Sequence, residues 1–147
     1  MYPIIKLTLI FVFTVLTSFQ TEKENYTCTV TIQSPSVKTG MLWIAFYKDA
    51  KDFKDMNKAC YAKKVAVQSF QKKEVVFENI AKGSYAIAIF LDENADGKLN
   101  FNLLGIPKEL FGFSNNVYPK FRSPTFKECL FTVHTHHKQT IQLQSFL

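Results

Sequence analysis

The feature that most constrains this chain is a period of two. Apolar and polar residues alternate, or β-branched and aromatic residues concentrate, in seven short segments: residues 26–33, 41–47, 62–67, 74–77, 83–91, 129–133 and 140–144. Successive side chains of a strand point to opposite faces, so this alternation describes half-buried sheet rather than helix. In the first segment Thr27, Thr29 and Thr31 share the outer face, while Tyr26, Cys28, Val30 and Ile32 share the inner one. Residues 41–47 are apolar on both faces and follow Gly40, as expected of a central strand. The strongest segment is 83–91, with Tyr85, Ile87, Ile89 and Leu91 on one face and Ala86, Ala88 and Phe90 on the other. Gln71-Lys72-Lys73 reads as a turn between two strands, and His136-His137-Lys138 as the turn of a terminal hairpin. Only residues 49–58 suggest a helical turn. The expected fold is all-β: an antiparallel β-sandwich of about seven strands with one long ordered loop.

That loop is residues 97–128, which hold no sustained period. Long irregular segments in a compact domain are uncommon and often functional. Phe101, Phe111, Phe113, Phe121 and Phe126 lie in it, five of the fifteen Phe in the chain. A segment so rich in Phe is built to pack, and the small-residue face of Ala86 and Ala88 is the expected seat.

Residues 1–20 read as an export signal, with Lys6 ahead of the apolar run 7–16 and Thr17, Ser18 and Gln20 closing it. The apolar stretch 4–19 contains Lys6 and falls short of the roughly 20 residues that cross a bilayer. A cut near Gln20 leaves residues 21–147 as one domain, exported to the periplasm or secreted, with no membrane span. Without Lys6 the charge drops from +6 to +5, and Arg122 is the single arginine. Nucleic-acid footprints cluster Arg and Lys, so nucleic acid is not an expected partner. The expected partner is a protein or a small-molecule ligand. Cys28 and Cys129 occupy inner strand positions, where a free thiol behaves as a small hydrophobe.

After the strongest segment comes Asp92-Glu93-Asn94-Ala95-Asp96-Gly97-Lys98-Leu99-Asn100. Oxygen donors at alternate positions followed by glycine open an EF-hand-type loop, because hard cations such as Ca²⁺ gather six to eight oxygens. The candidate metal ligands are Asp92, Asn94, Asp96, the Lys98 carbonyl and Asn100, with Asn102 or Glu109 to complete the shell. The twelfth position is Leu103 instead of a bidentate Glu, and Asp92 ends a strand, so this is not an EF-hand. Ca²⁺ is the candidate cofactor, at the weak affinity of extracellular modules. The competing account is an Asx-rich turn that needs no metal. His134, His136 and His137 lack further ligands at fixed spacing and read as a solvated turn. No nucleophile, zinc or phosphate-loop motif is present in the sequence. Asn115 and Asn116 are expected to brace the loop through side-chain bonds to backbone.

The run from Gly83 through Asp92, Asn94, Asp96, Gly97 and Asn100, continuing through Leu104-Gly105-Ile106-Pro107-Lys108-Glu109 and Gly112-Phe113-Ser114-Asn115-Asn116, resembles the DUF2141 family. Gly40 and the residues after it, and Pro124 to Glu128, also look like that pattern. The resemblance implies an exported β-sandwich similar to prealbumin or transthyretin-like modules, and no known activity. Leu91 stands where the family often has His, which weakens a His-Asp pair as working chemistry. The expected function is a non-enzymatic binding or accessory module with a calcium-stabilised turn. The alternative is a small periplasmic enzyme using the Asp92, Glu93 or Asp96 carboxylate beneath the 97–128 loop.

Overall fold

The computed structural model describes residues 24–120 and 122–146; the export signal expected at residues 1–20 lies outside them, as does Phe121. The described residues are all-β, in six strands where seven were expected. Strand β1 runs unbroken over Asn25–Tyr47, and β2 over Tyr61–Ala81. They pair antiparallel along nearly their whole length, from Asn25 opposite Ala81 to Phe46 opposite Tyr61. Each therefore absorbs two of the expected strands. The register shifts between Gln33, Lys38 and Gly40, and Pro35 falls in the unpaired gap, one of the few places a sheet tolerates proline. Thr39 Oγ1 accepts from the Ser69 amide at 3.1 Å and carries the pairing past the irregularity.

The ribbon is folded over on itself. Eighteen residues separate Cys28 from Phe46, about 60 Å in a straight strand. Yet Phe77, the β2 partner of Cys28, has its ring 4.6 Å from that of Phe46. The Ala81 amide donates to the Tyr61 hydroxyl at 3.1 Å, joining the two ends of β2. The inner face so created is the main core: Cys28, Val30 and Ile32 from one half, Leu42, Ile44 and Phe46 from the other.

Strand β3, Gly83–Asp92, pairs antiparallel with the second half of β1, which is thus central as its two apolar faces require. Tyr85, Ile87, Ile89 and Leu91 enter the main core. The short β4, Phe111–Phe113, lies on β3, with Ala88 opposite Phe113. Strand β5, Phe131–Val133, pairs with the start of β3, and β6, His137–Gln142, pairs parallel with the first half of β1. The expected terminal hairpin is thus replaced by two strands that go to different partners. His136 Nδ1 accepts from the Thr27 amide at 3.1 Å, and His137 stacks on Phe131 at 4.9 Å. Those contacts hold the bend between the two strands. A bridge between Phe111 and Gln144 joins β4 to the segment after β6. The helical turn foreseen in residues 49–58 is a single 3-10 turn, Met56–Lys58, whose Asn57 amide donates to Asp55 at 3.1 Å.

Candidate functional site

The acidic turn begins where β3 leaves the sheet. Asp92 is 2% exposed and its Oδ2 accepts from the Gly97 amide at 2.8 Å. Gly97 takes φ of 77° there, a conformation glycine adopts without a Cβ penalty. Asn94 Oδ1 accepts from the Asp96 amide at 3.2 Å, and Asp96 Oδ1 from the Lys98 amide at 2.9 Å. The amide nitrogens of Asn94 and Asn100 both donate to Asp96 Oδ2, at 3.2 and 2.8 Å. The Asn100 bond, then the Lys98 amide, hold the Asp96 carboxyl below the usual carboxylate range. Glu109 reaches back from the far side of the loop. Its two oxygens accept from the Glu93 amide at 3.3 Å and the Asn100 amide at 3.1 Å, clasping both ends of the turn. Burial pushes the Glu109 carboxyl up, with the two amides pulling the other way.

The structure thus brings Asn94, Asp96 and Asn100 together by direct hydrogen bonds and sets Glu109 across the turn's base. It does not bring Asn102 in, because the Asn102 Oδ1 caps the amides of Leu104 and Ile106 at 2.9 and 3.0 Å. Lys98 donates its amide to Asp96. Glu93 faces outward in an ion pair with Lys38 at 3.0 Å. Among the described residues no three His, Cys, Asp or Glu side chains form a metal-holding group; the other oxygens of the turn are side-chain amides and backbone carbonyls. One atom stands apart: Asp92 Oδ1 is buried and has no hydrogen-bond partner. An unpartnered buried carboxylate oxygen is costly unless a cation or donor meets it.

The 97–128 loop packs where the sequence places it. Ala45, Tyr47, Ala86 and Ala88 form a second apolar cluster with Phe113 and Cys129, against which Phe111, Val117, Tyr118 and Phe126 pack. Three consecutive residues fasten it. Ser114 is fully buried; its Oγ accepts from the Ile87 amide at 2.9 Å and donates to the Cys129 carbonyl at 2.5 Å. The Asn115 amide donates to the carbonyls of Glu128 and Leu130, and that of Asn116 to the Thr140 carbonyl. Both Asn residues have positive φ, 62° and 51°, which Asn tolerates better than most side chains. Tyr118 donates its hydroxyl to the Gln142 carbonyl.

Between the acidic turn, this loop and the segment after β6 lies a cleft of about 920 Å³. Phe90, Leu99, Phe101, Ile106, Phe111 and Phe146 supply apolar wall. Lys54, Lys98, Lys120 and Arg122 also line it, and no carboxylate among the described residues does. A loop seated only by its aromatic content would need no such hollow. The cleft is a tertiary product of segments distant in sequence, from Lys54 and Met56 through β3 and the loop to residues 144–146, and the excess of Phe in 97–128 is its trace in the sequence.

A family model described as an uncharacterized protein conserved in bacteria, DUF2141, matches residues 30–142. The chain belongs to this family. The DUF2141 match runs from the first half of β1 to the end of β6, so it takes in the folded ribbon, the acidic turn and the loop. No curated protein and no solved structure matches the chain.

Proposed function

We propose that this DUF2141 chain is an exported, non-enzymatic binding module, a folded sheet of prealbumin type that offers the cleft beside β4 to an apolar ligand. The cleft itself carries the reading. Its volume of about 920 Å³ falls in the range of small-molecule sites, and its walls are mostly apolar. Asp92, Glu93 and Asp96, the carboxylates an enzymatic reading would use, do not line it. A neutral apolar dye, N-phenyl-1-naphthylamine, is expected to bind saturably with a blue-shifted rise in fluorescence. Phe101 is 53% exposed, so Phe101→Ala should weaken dye binding several-fold while moving stability by less than about 0.5 kcal/mol. A dye signal that stays at the buffer level sinks the reading.

The acidic turn is proposed as a calcium-stabilised wall of the same cleft, since Gly97 and Lys98 line the cleft and belong to the turn. The support is the unpartnered Asp92 Oδ1 with the Glu109 carboxylate nearby. A cation drawn to that oxygen would be held by Asp92 and Glu109 together with turn oxygens from the Asn94, Asp96 and Asn100 side chains and the Lys98 carbonyl. At ten times its dissociation constant, Ca²⁺ stabilises a folded state by about 1.4 kcal/mol. The melting temperature in 5 mM Ca²⁺ is therefore expected to exceed that in EDTA by about 4 °C. Superimposable melts, with no bound metal by elemental analysis, would remove calcium from the account.

A further inference from the structure

We propose that the occupant of the cleft is the monomeric anion of a long-chain carboxylic acid, its chain against the apolar wall and its carboxylate among the lysines. The inference rests on the binding-module reading and adds the chemistry of the ligand. Charge decides it. Four cationic side chains line the cleft and no carboxylate among the described residues does. Arg122 is already neutralised: it meets Glu128 through two bonds, at 2.7 and 2.9 Å. Lys98 lies within electrostatic reach of Asp96. Lys54 and Lys120 are exposed and, among the described residues, have no ion-pair partner; the Lys54 ammonium stands over the Phe53 ring at 5.5 Å. Unbalanced cations beside a large apolar surface favour a ligand with an apolar body and one anionic head. Tyr118 adds no competing demand for a polar ligand, because its hydroxyl is committed to the Gln142 carbonyl.

The experiment displaces the bound naphthylamine dye with laurate and with 1-dodecanol, which share a chain length and differ in charge. Laurate should displace the dye at about one-tenth the concentration of dodecanol. In the K54E/K120E double variant that advantage should vanish, while displacement by dodecanol stays within twofold. Circular dichroism melting of the variant reports whether it folds; if it does not, Lys54→Gln and Lys120→Gln singly carry the same comparison. Equal displacement by laurate and dodecanol in the unaltered protein overturns the inference and leaves the binding module standing. A laurate advantage that survives both lysine substitutions also overturns it. Absence of any dye binding removes the module and this inference together. Co-sedimentation with phosphatidylglycerol vesicles, combined with no displacement by monomeric laurate, would make the ligand a membrane surface and overturn it as well.

Discussion

Truncation of Phe46 to Ala is expected to cost about 3–5 kcal/mol of folding stability, the range for removing a buried aromatic ring from a packed core. Phe46 is fully buried and is the point where separate parts of the chain meet. Its ring lies 4.6 Å from Phe77, and 6.1 to 6.2 Å from Tyr61, Tyr85 and Phe131. Those partners come from both ends of β2, from β3 and from β5. The cavity therefore opens where the folded ribbon closes, with no single neighbour placed to collapse into it. Domains of this size hold only about 5–15 kcal/mol in total, so the variant should unfold at a far lower urea midpoint. A loss below about 1 kcal/mol would mean that the ribbon's closure is not what holds the sheet.

Gly40→Ala is the second large effect, and its sign is the informative part. Propensity alone says that alanine in a strand interior should gain about 0.5–1 kcal/mol over glycine. The packing says the reverse. A Cβ at Gly40 would stand 2.5 Å from the Asp92 carbonyl oxygen and 3.2 Å from Glu93 Cα. Both are backbone atoms, and the adjoining pair Met41–Asp92 fixes β1 against β3 at that level. Overpacking of this kind costs about 1–3 kcal/mol. The strain falls on the residue that opens the acidic turn, so the Gly97 amide, held by Asp92, should lose hydrogen-exchange protection as stability falls. A more stable Gly40→Ala protein would show that β3 stands further from Gly40 than the structure places it.

The inner and outer faces were legible because alternation depends only on neighbours two residues apart. Residues 83–91 bury Tyr85, Ile87, Ile89 and Leu91 as the pattern requires, and Ala86 and Ala88 receive the loop. Asn115 and Asn116 bond to backbone as expected. Strand number was not legible. Ser34-Pro35-Ser36 and Gln71-Lys72-Lys73 carry the residues of turns, yet both lie within continuous strands. A sheet can bend around a register shift using the same polar residues that a turn uses. Strand β4 has three residues, too few to show a period, and the partner of β6 leaves no local mark. At the site, the donor pattern from Asp92 to Asn100 was visible, but the inward rotation of Asp92 and the clasp by Glu109 depend on the loop's path. The lysines of the cleft looked like ordinary surface charge because Lys54, Lys98 and Lys120 meet only after folding.

The parallel pairing of β1 with β6 also sets the order of events in folding. Where Thr27 bonds to His136 the contact spans 109 residues. Such a contact forms only after a long loop has closed, and β-proteins dominated by such pairings fold in milliseconds to seconds. The ribbon of β1 and β2 can form early, and β3 can cover residues 41–47, but the edge of the first half of β1 stays bare until His137–Gln142 arrives. A nascent chain therefore leaves that edge open to other pairing until residues 137–142 have been made, so the sheet is committed late and by a contact distant in sequence.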